Sequence, residues 1–319
     1  MTFSVILPLY NKAPYVSKAI RSVLSQTFAD YELIIMDDGS KDASYDVAMQ
    51  AIEGRTNCHI HRQKNAGVSL ARNNAVVLSH GDYLCFLDAD DWWDPEFLSN
   101  VSNLIDTYPD AGIYGTSYTI VNETKKKTRV ATMGLDPGFD MGYINYCRVY
   151  ANGMYMPLWT GAVCIPRWVY DEMGGFKSHL KLGEDFDLWI RIARKYKVAF
   201  LNKPLSYYNQ DSDPQWRGTG QLRDPQTHML WNLGYLEEDE KTNPDYKQLI
   251  DNLRTYSLFP YYLSRQYRDV AQKELDKVDW SKQASRIRRL YRKPRYYLCF
   301  RQWLLGIASK TKIWLYKYL

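Results

Sequence analysis

The segment FLDADDWWDP, Phe86 to Pro95, carries four aspartates in ten residues directly behind an apolar run. Asp88 and Asp90 stand two apart, and in an extended segment side chains two apart project to one side. Two carboxylates so placed repel each other unless a cation lies beside them. Hard oxygen ligands favour Mg²⁺ or Mn²⁺, which keep several waters and bridge one or two carboxylates to substrate phosphates. The pair therefore predicts a divalent metal and a phosphorylated ligand. Asp94 is explained without function, as the cap of a helix with Pro95 in its first turn, and Asp91 reads as a solvated loop residue.

Such a pair needs a scaffold that ends several elements at one place. Five apolar runs, 3–7, 32–36, 58–61, 83–87 and 111–118, alternate with amphipathic segments, the rhythm of βαβ units and a mostly parallel sheet. Val16, Ala19, Ile20, Val23 and Leu24 make one helical face, and Val68, Ala71, Ala75 and Leu78 a second. Leu98, Val101 and Ile105 mark a third helix. Ligands of open α/β sheets bind beyond the carboxyl ends of the strands, where PLYN (8–11), DDGS (37–40), KNAGVSLARN (64–73) and DADD (88–91) fall and would ring one crevice. After residue 118 the rhythm breaks. Lys125 to Arg129 reads as a charged turn, and residues 134 to 160 as a loop region suited to binding an acceptor. A helix is expected from Asp185 to about Tyr196, short strands near 197–208, and only helices from about 224 onward.

With 319 residues, 45% of them apolar, the chain has enough material for a full core. The five cysteines include no CxxC pair, which argues against a disulfide framework or zinc knuckle and for a reducing, cytoplasmic compartment. MTFSVILPLYN reads as a first strand, not a signal peptide, and apolar runs stop short of the ~20 residues that a spanning helix needs. The net charge of +5 is uneven. Residues 280 to 319 hold 11 Lys and Arg, nine aromatics and no acid, against 30 basic and 36 acidic residues elsewhere. The acidic remainder argues against nucleic acid as a partner. From Tyr297 onward Phe300, Leu304, Ile307, Trp314 and Tyr318 recur in steps of three, four or seven residues. That stripe suits an anionic membrane surface, a second copy of the chain in a homodimer, or the catalytic domain itself, and the pattern alone leaves the three open. No GxGxxG, Walker A, HExxH or GxSxG sequence is present, and His59 and His61 alternate on a strand with no third ligand spaced for zinc.

VILPLYN, IIMDDGSKD, NAGVSLARN, YLCFLDADD and GGFKSHLKLGEDFDLW occur in an order and spacing that resemble family-2 glycosyltransferases, over roughly residues 1 to 210. The resemblance implies an α/β fold: a Rossmann-like, mostly parallel sheet flanked by helices, the A-type glycosyltransferase fold, with a helical C-terminal extension. It divides the chain into a nucleotide-sugar-binding half (1–118), an acceptor and catalytic-base half (119–222) and a helical region (223–319). The implied reaction is inverting and metal-dependent, from a UDP-sugar to a hydroxyl of a polysaccharide or lipid-linked oligosaccharide. A sugar nucleotidyltransferase and a non-catalytic nucleotide-sugar binder are the alternatives.

Carried over residue by residue, the likeness implies that Pro8 and Tyr10 flank the nucleoside and that Asp38 accepts a hydrogen bond from the base. A carboxylate can accept from a uracil N–H while an aromatic ring covers its face. Asn65 and Gly67 would lie beside the nucleotide, and Arg72 would hold the site or form a structural salt bridge. Asp88 would contact ribose or metal, and Asp90 would ligate the metal. Asp185 would be the catalytic base, its pKa raised by burial near Phe186, Trp189 and Glu184; otherwise Glu184 and Asp185 simply favour a helix N-terminus. Trp159, Thr160 and Gly161, with Glu184, would face the acceptor. Asp187 reads as solvated. Where many relatives carry a histidine, this chain has Asn209, Gln210 and Asp211, which puts a metal contact from that segment in doubt.

Overall fold

The computed structural model describes residues 1–153, 155–211 and 222–301. It divides into two compact units, Met1–Tyr235 and Leu236–Leu319. The first unit begins with β1 (Phe3–Leu9), buried along its whole length as a strand covered on both faces should be. There follow α1 (Val16–Leu24), β2 (Tyr31–Asp37), α2 (Ser44–Ala51), β3 (Cys58–Arg62), α3 (Val68–Val77) and β4 (Tyr83–Phe86). β3, β2, β1 and β4 pair in that order and all in parallel. This is the parallel half that the alternating runs predict.

The rest of the sheet is mixed. β5 (Trp92–Trp93), α4 (Phe97–Thr107), β6 (Ala111–Asn122), β7 (Lys127–Val130), β8 (Met141–Ile144), α5 (Tyr146–Gly153), β9 (Val163–Pro166), α6 (Arg167–Met173), α7 (Glu184–Lys195) and β10 (Lys197–Asn209) complete it. β9 lies between β4 and β6, antiparallel to both, and β6 pairs in parallel with β10. The short strands expected near 197–208 are one strand, irregular around Pro204, where its register against β6 shifts because proline donates nothing to the ladder. The expected loop region 134–160 contains β8 and α5.

Two local expectations are corrected. The third helix starts at Phe97, not Pro95, because Asp94 closes a turn ahead of it: its carboxylate accepts from the Glu96 N–H and its carbonyl from the Phe97 N–H, both at 3.0 Å. The inner face of α3 is Ser69, Ala71, Arg72, Ala75 and Val76, while Val68 and Leu78 are exposed. A polar pair shares that face with the apolar residues, so hydrophobicity alone misplaces it.

One face of the sheet packs Phe86, Tyr170, Phe176 and Trp189 edge to face and stacked, with ring centres 5.2–6.4 Å apart. Such pairs add to simple area burial, and this cluster seats α7 behind the end of β4. The second unit consists of α8 (Glu237–Thr242), α9 (Pro244–Ser257), α10 (Phe259–Leu263), α11 (Arg268–Leu275) and α12 (Ser285–Tyr291). Of the expected C-terminal stripe, Tyr297 and Phe300 are described and solvent-exposed; Leu304, Ile307, Trp314 and Tyr318 lie outside the described residues.

Candidate active site

The loops at the carboxyl ends of β1, β2 and β3 are latched to one another by short side chains. Asn11, held at φ 50°, accepts from the Lys41 N–H at 2.8 Å and donates its own N–H to Ser40 Oγ at 3.0 Å. Asp38 is buried, and its carboxylate accepts from Gln63 Nε2, the Ala66 N–H and the Gly67 N–H, each at 2.8 Å. Asn65 donates to the Asp38 carbonyl. Gly67 sits at φ +94° with open space where a Cβ would be, so the left-handed backbone, not crowding, requires glycine there. Pro8 is buried in β1 beyond the point where β4 ends, and Tyr10 follows at the strand mouth, half-buried. Asp37, one residue before Asp38, is fully buried and pairs with Arg62 at 2.6 Å.

Asp88 and Asp90 lie in a turn, closed by the Asp91 N–H donating to the Asp88 carbonyl at 3.0 Å, rather than in an extended segment. Each carboxylate has its own cation. Arg72 from α3 donates to Asp88 at 2.7 Å, and Lys12, two residues after Tyr10, donates to Asp90 at 2.6 Å. The charge balance expected of a divalent ion is thus supplied by two side chains that converge from different elements. Among the described residues no donor reaches the second oxygen of either carboxylate, and no group of three or more His, Cys, Asp or Glu that could hold a metal occurs. Two carboxylates with free oxygens are the donor type and number that Mg²⁺ commonly takes beside phosphates, so this pair fits such an ion.

Arg72 is only 3% exposed, and its second arm reaches Glu184 at 3.2 Å. One buried guanidinium therefore joins the end of β4 to the start of α7. Of the two readings of Arg72 left open by the sequence, the salt bridge is the one the structure shows. Glu184 is pushed up to about 7 by burial and by Asp185, which together outweigh the attraction of Arg72. Asp185 is raised mainly by burial; its carboxylate accepts from the Phe186 N–H at 2.7 Å and from the Thr160 hydroxyl at 3.2 Å.

Trp159, Thr160 and Gly161 precede β9. Trp159 is half-buried, with its ring 4.3 Å from Tyr208 and 5.6 Å from Tyr118, and the Gly161 carbonyl accepts from Trp93 Nε1 at 2.6 Å. Asp91 and Asp187 depart from the solvated state that the sequence suggests. Asp91 is 2% exposed, accepts from the Asn209 N–H at 2.9 Å and from Trp159 Nε1 at 3.3 Å, and is raised well above the usual carboxylate range by burial, then by Asp90 and Asp88. It ties the acidic turn to Trp159 and to β10. Asp187 is fully buried and bound by Lys177, Arg191 and the Tyr235 hydroxyl at 2.7–2.9 Å. A carboxylate in the first turn of a helix reads as solvated only until its tertiary partners are known. Lys12 is the other residue missed, for lone lysines carry no sequence signal.

A raised carboxylate pKa has a defined effect on stability. Glu184 ionises in the unfolded chain near its ordinary 4.5 but in the folded chain at about 7, so its contribution to stability falls as pH rises between those values. Over that range His228, lowered to about 4 by burial, acts in the opposite direction, so the test is a difference: thermal unfolding should give Glu184→Gln a stability whose slope between pH 5 and pH 7.5 is less negative, or more positive, than the parent's. An unchanged slope in the variant would show that Glu184 is not the group responsible.

Residues 4–179 match the family described as glycosyl transferase family 2. The chain belongs to that family. It is 33% identical over 211 residues to the glycosyltransferase GlyA of Streptococcus pneumoniae, covering 64% of this chain and 30% of GlyA. It is 29% identical over 233 residues to an uncharacterized glycosyltransferase of Rickettsia felis, covering 71% of this chain and 35% of that protein. The chain thus spans about a third of the length of these curated relatives. In fold it is similar to S. aureus TarS 1–349, solved in complex with UDP-GlcNAc, with a TM-score of 0.69, 17% identity, and coverage of 86% of this chain and 78% of that one.

Proposed function

We propose that the chain is an inverting glycosyltransferase that moves a sugar from a UDP-sugar to a hydroxyl of a polysaccharide or lipid-linked oligosaccharide. The observation that carries this reading is Arg72, which holds Asp88 at 2.7 Å and Glu184 at 3.2 Å and so sets the donor-side acids beside Asp185. The UDP-GlcNAc bound by TarS, a protein of the same fold, supports a nucleotide sugar as donor. Asp38 fixes the loop of Asn65 and Gly67 that would line the nucleoside, and Tyr10 supplies an aromatic face at its mouth. Asp88 and Asp90 are the residues that would hold Mg²⁺ or Mn²⁺. When bound, such an ion offsets negative charge on a departing diphosphate.

Asp185 then takes the proton of the acceptor hydroxyl as its oxygen forms a bond to the anomeric carbon, and the bond from that carbon to the diphosphate oxygen breaks on the opposite side. The configuration inverts. Thr160 orients the carboxylate of Asp185, and burial keeps it basic enough to accept the proton. Trp159 offers its ring to an acceptor sugar. An anionic membrane surface is the setting we assign to the stripe from Tyr297 onward; no helix among the described residues is long and apolar enough to cross a membrane.

Incubation with a panel of nucleotide sugars and Mn²⁺ tests the reading. Release of nucleoside diphosphate is expected, and Asp90→Ala should abolish the metal-dependent part of donor binding. Release of pyrophosphate would instead mark a nucleotidyltransferase, and binding without turnover a non-catalytic partner.

A further inference from the structure

The helical second unit contains a cavity of about 260 Å³ lined by Tyr262, Gln272, Trp280, Tyr291, Arg288 and Arg292. Its aromatic wall is braced. The Tyr291 ring lies 5.1 Å from Trp280 and 5.2 Å from Tyr262, and its hydroxyl donates to the Thr255 carbonyl at 2.8 Å. Arg288 and Arg292 stand four residues apart at the end of α12, a spacing that sets two side chains on one side of a helix.

The two arginines differ from the buried arginine of the same unit. Arg254 is matched by Glu240, Asp251 and Glu274. Among the described residues no carboxylate pairs with Arg288 or Arg292, and residues 280–319 contain no acid at all. Two unmatched guanidinium groups beside aromatic faces therefore share one concave site with a side-chain amide. Guanidinium groups favour bidentate contact with carboxylate or phosphate. Aromatic faces suit the apolar face of a pyranose ring, and Gln272, whose Nε2 donates to Asp276 at 2.7 Å, keeps its carbonyl oxygen and a second N–H for ring hydroxyls. The volume falls just below the ~300–1,000 Å³ usual for small-molecule sites, which favours one ring over an extended chain.

We infer that this cavity binds one sugar ring bearing an anionic group, a uronate carboxylate or a phosphate, within the glycan that the enzyme extends. That the glycan is an acceptor rests on the transferase reading above; the existence of the site does not.

Calorimetric titration of the full chain, without nucleotide, tests the site with tetragalacturonate, glucose 1-phosphate, maltotetraose and inorganic phosphate. At least one of the two charged sugars is expected to bind at least tenfold more tightly than maltotetraose and phosphate. Arg288→Gln and Arg292→Gln should each weaken that binding about tenfold. Trp280→Leu should weaken the charged sugar and leave phosphate unchanged. Neither arginine has a side-chain partner among the described residues to lose, and thermal unfolding of each variant verifies that the fold is intact. Equal binding of maltotetraose would remove the anionic requirement, and equal binding of phosphate would remove the sugar. Failure of both charged sugars to bind would remove the site. Phosphatidylglycerol vesicles form a further arm: capture that depends on Arg288 while the sugars do not bind would assign the arginines to lipid and overturn the inference. Because no nucleotide is present, these outcomes are separate from success or failure of diphosphate release.

Discussion

Asp185→Asn is expected to bind donor as tightly as the parent chain and to lower the transfer rate by about 10²–10⁴-fold, the usual contribution of a positioned general base. Asparagine keeps the size of the side chain and one carbonyl oxygen to accept from the Thr160 hydroxyl or the Phe186 N–H, the two partners Asp185 has now. It cannot take a proton. Donor affinity should therefore hold while turnover falls, a split that a merely structural role at the start of α7 would not give. The pH profile offers a second view. The parent should lose rate as pH falls through the raised pKa of the Asp185 and Glu184 pair, which titrates as a unit, and that acidic limb should be absent from the residual rate of Asp185→Asn. Full transfer by the variant would assign the base to another group, with Glu184 the nearest candidate.

Arg72→Met should strongly destabilise the first unit. Its guanidinium is buried and neutralises two carboxylates at once, Asp88 at 2.7 Å and Glu184 at 3.2 Å. Methionine fills much of the volume but leaves both acids without their cation, and removal of one partner from a buried pair costs about 3–5 kcal/mol. Urea titration reads this directly. Glu184→Gln in the same chain should recover part of the loss above pH 7, because without Arg72 the carboxyl must either ionise unpaired or hold its proton at a cost, whereas the two changes would simply add if the residues did not interact. A cost below about 1 kcal/mol would show that the bridge behaves as a solvated surface pair.

The parallel half of the sheet was legible in the amino-acid sequence because its strands are buried on both faces and its helices present one apolar side, so burial is written directly into the order of residue types. The acidic turn after β4, the loops after β1 to β3 and the acids at the start of α7 were legible for a related reason: each lies immediately beyond an apolar run or before a helical one. β9 was not. Its four residues follow irregular chain, and the place between β4 and β6 exists only once both strands are formed. The states of the charged residues were equally undetermined, since whether Asp91 and Asp187 meet water or protein depends on what lies across from them. Local sequence decided which carboxylates stand near the strand ends. Tertiary packing decided that Lys12 answers Asp90, that Arg72 joins Asp88 to Glu184, and that burial leaves Glu184 and Asp185 hard to ionise, because desolvation and ion pairing depend on neighbours up to 112 residues away along the chain.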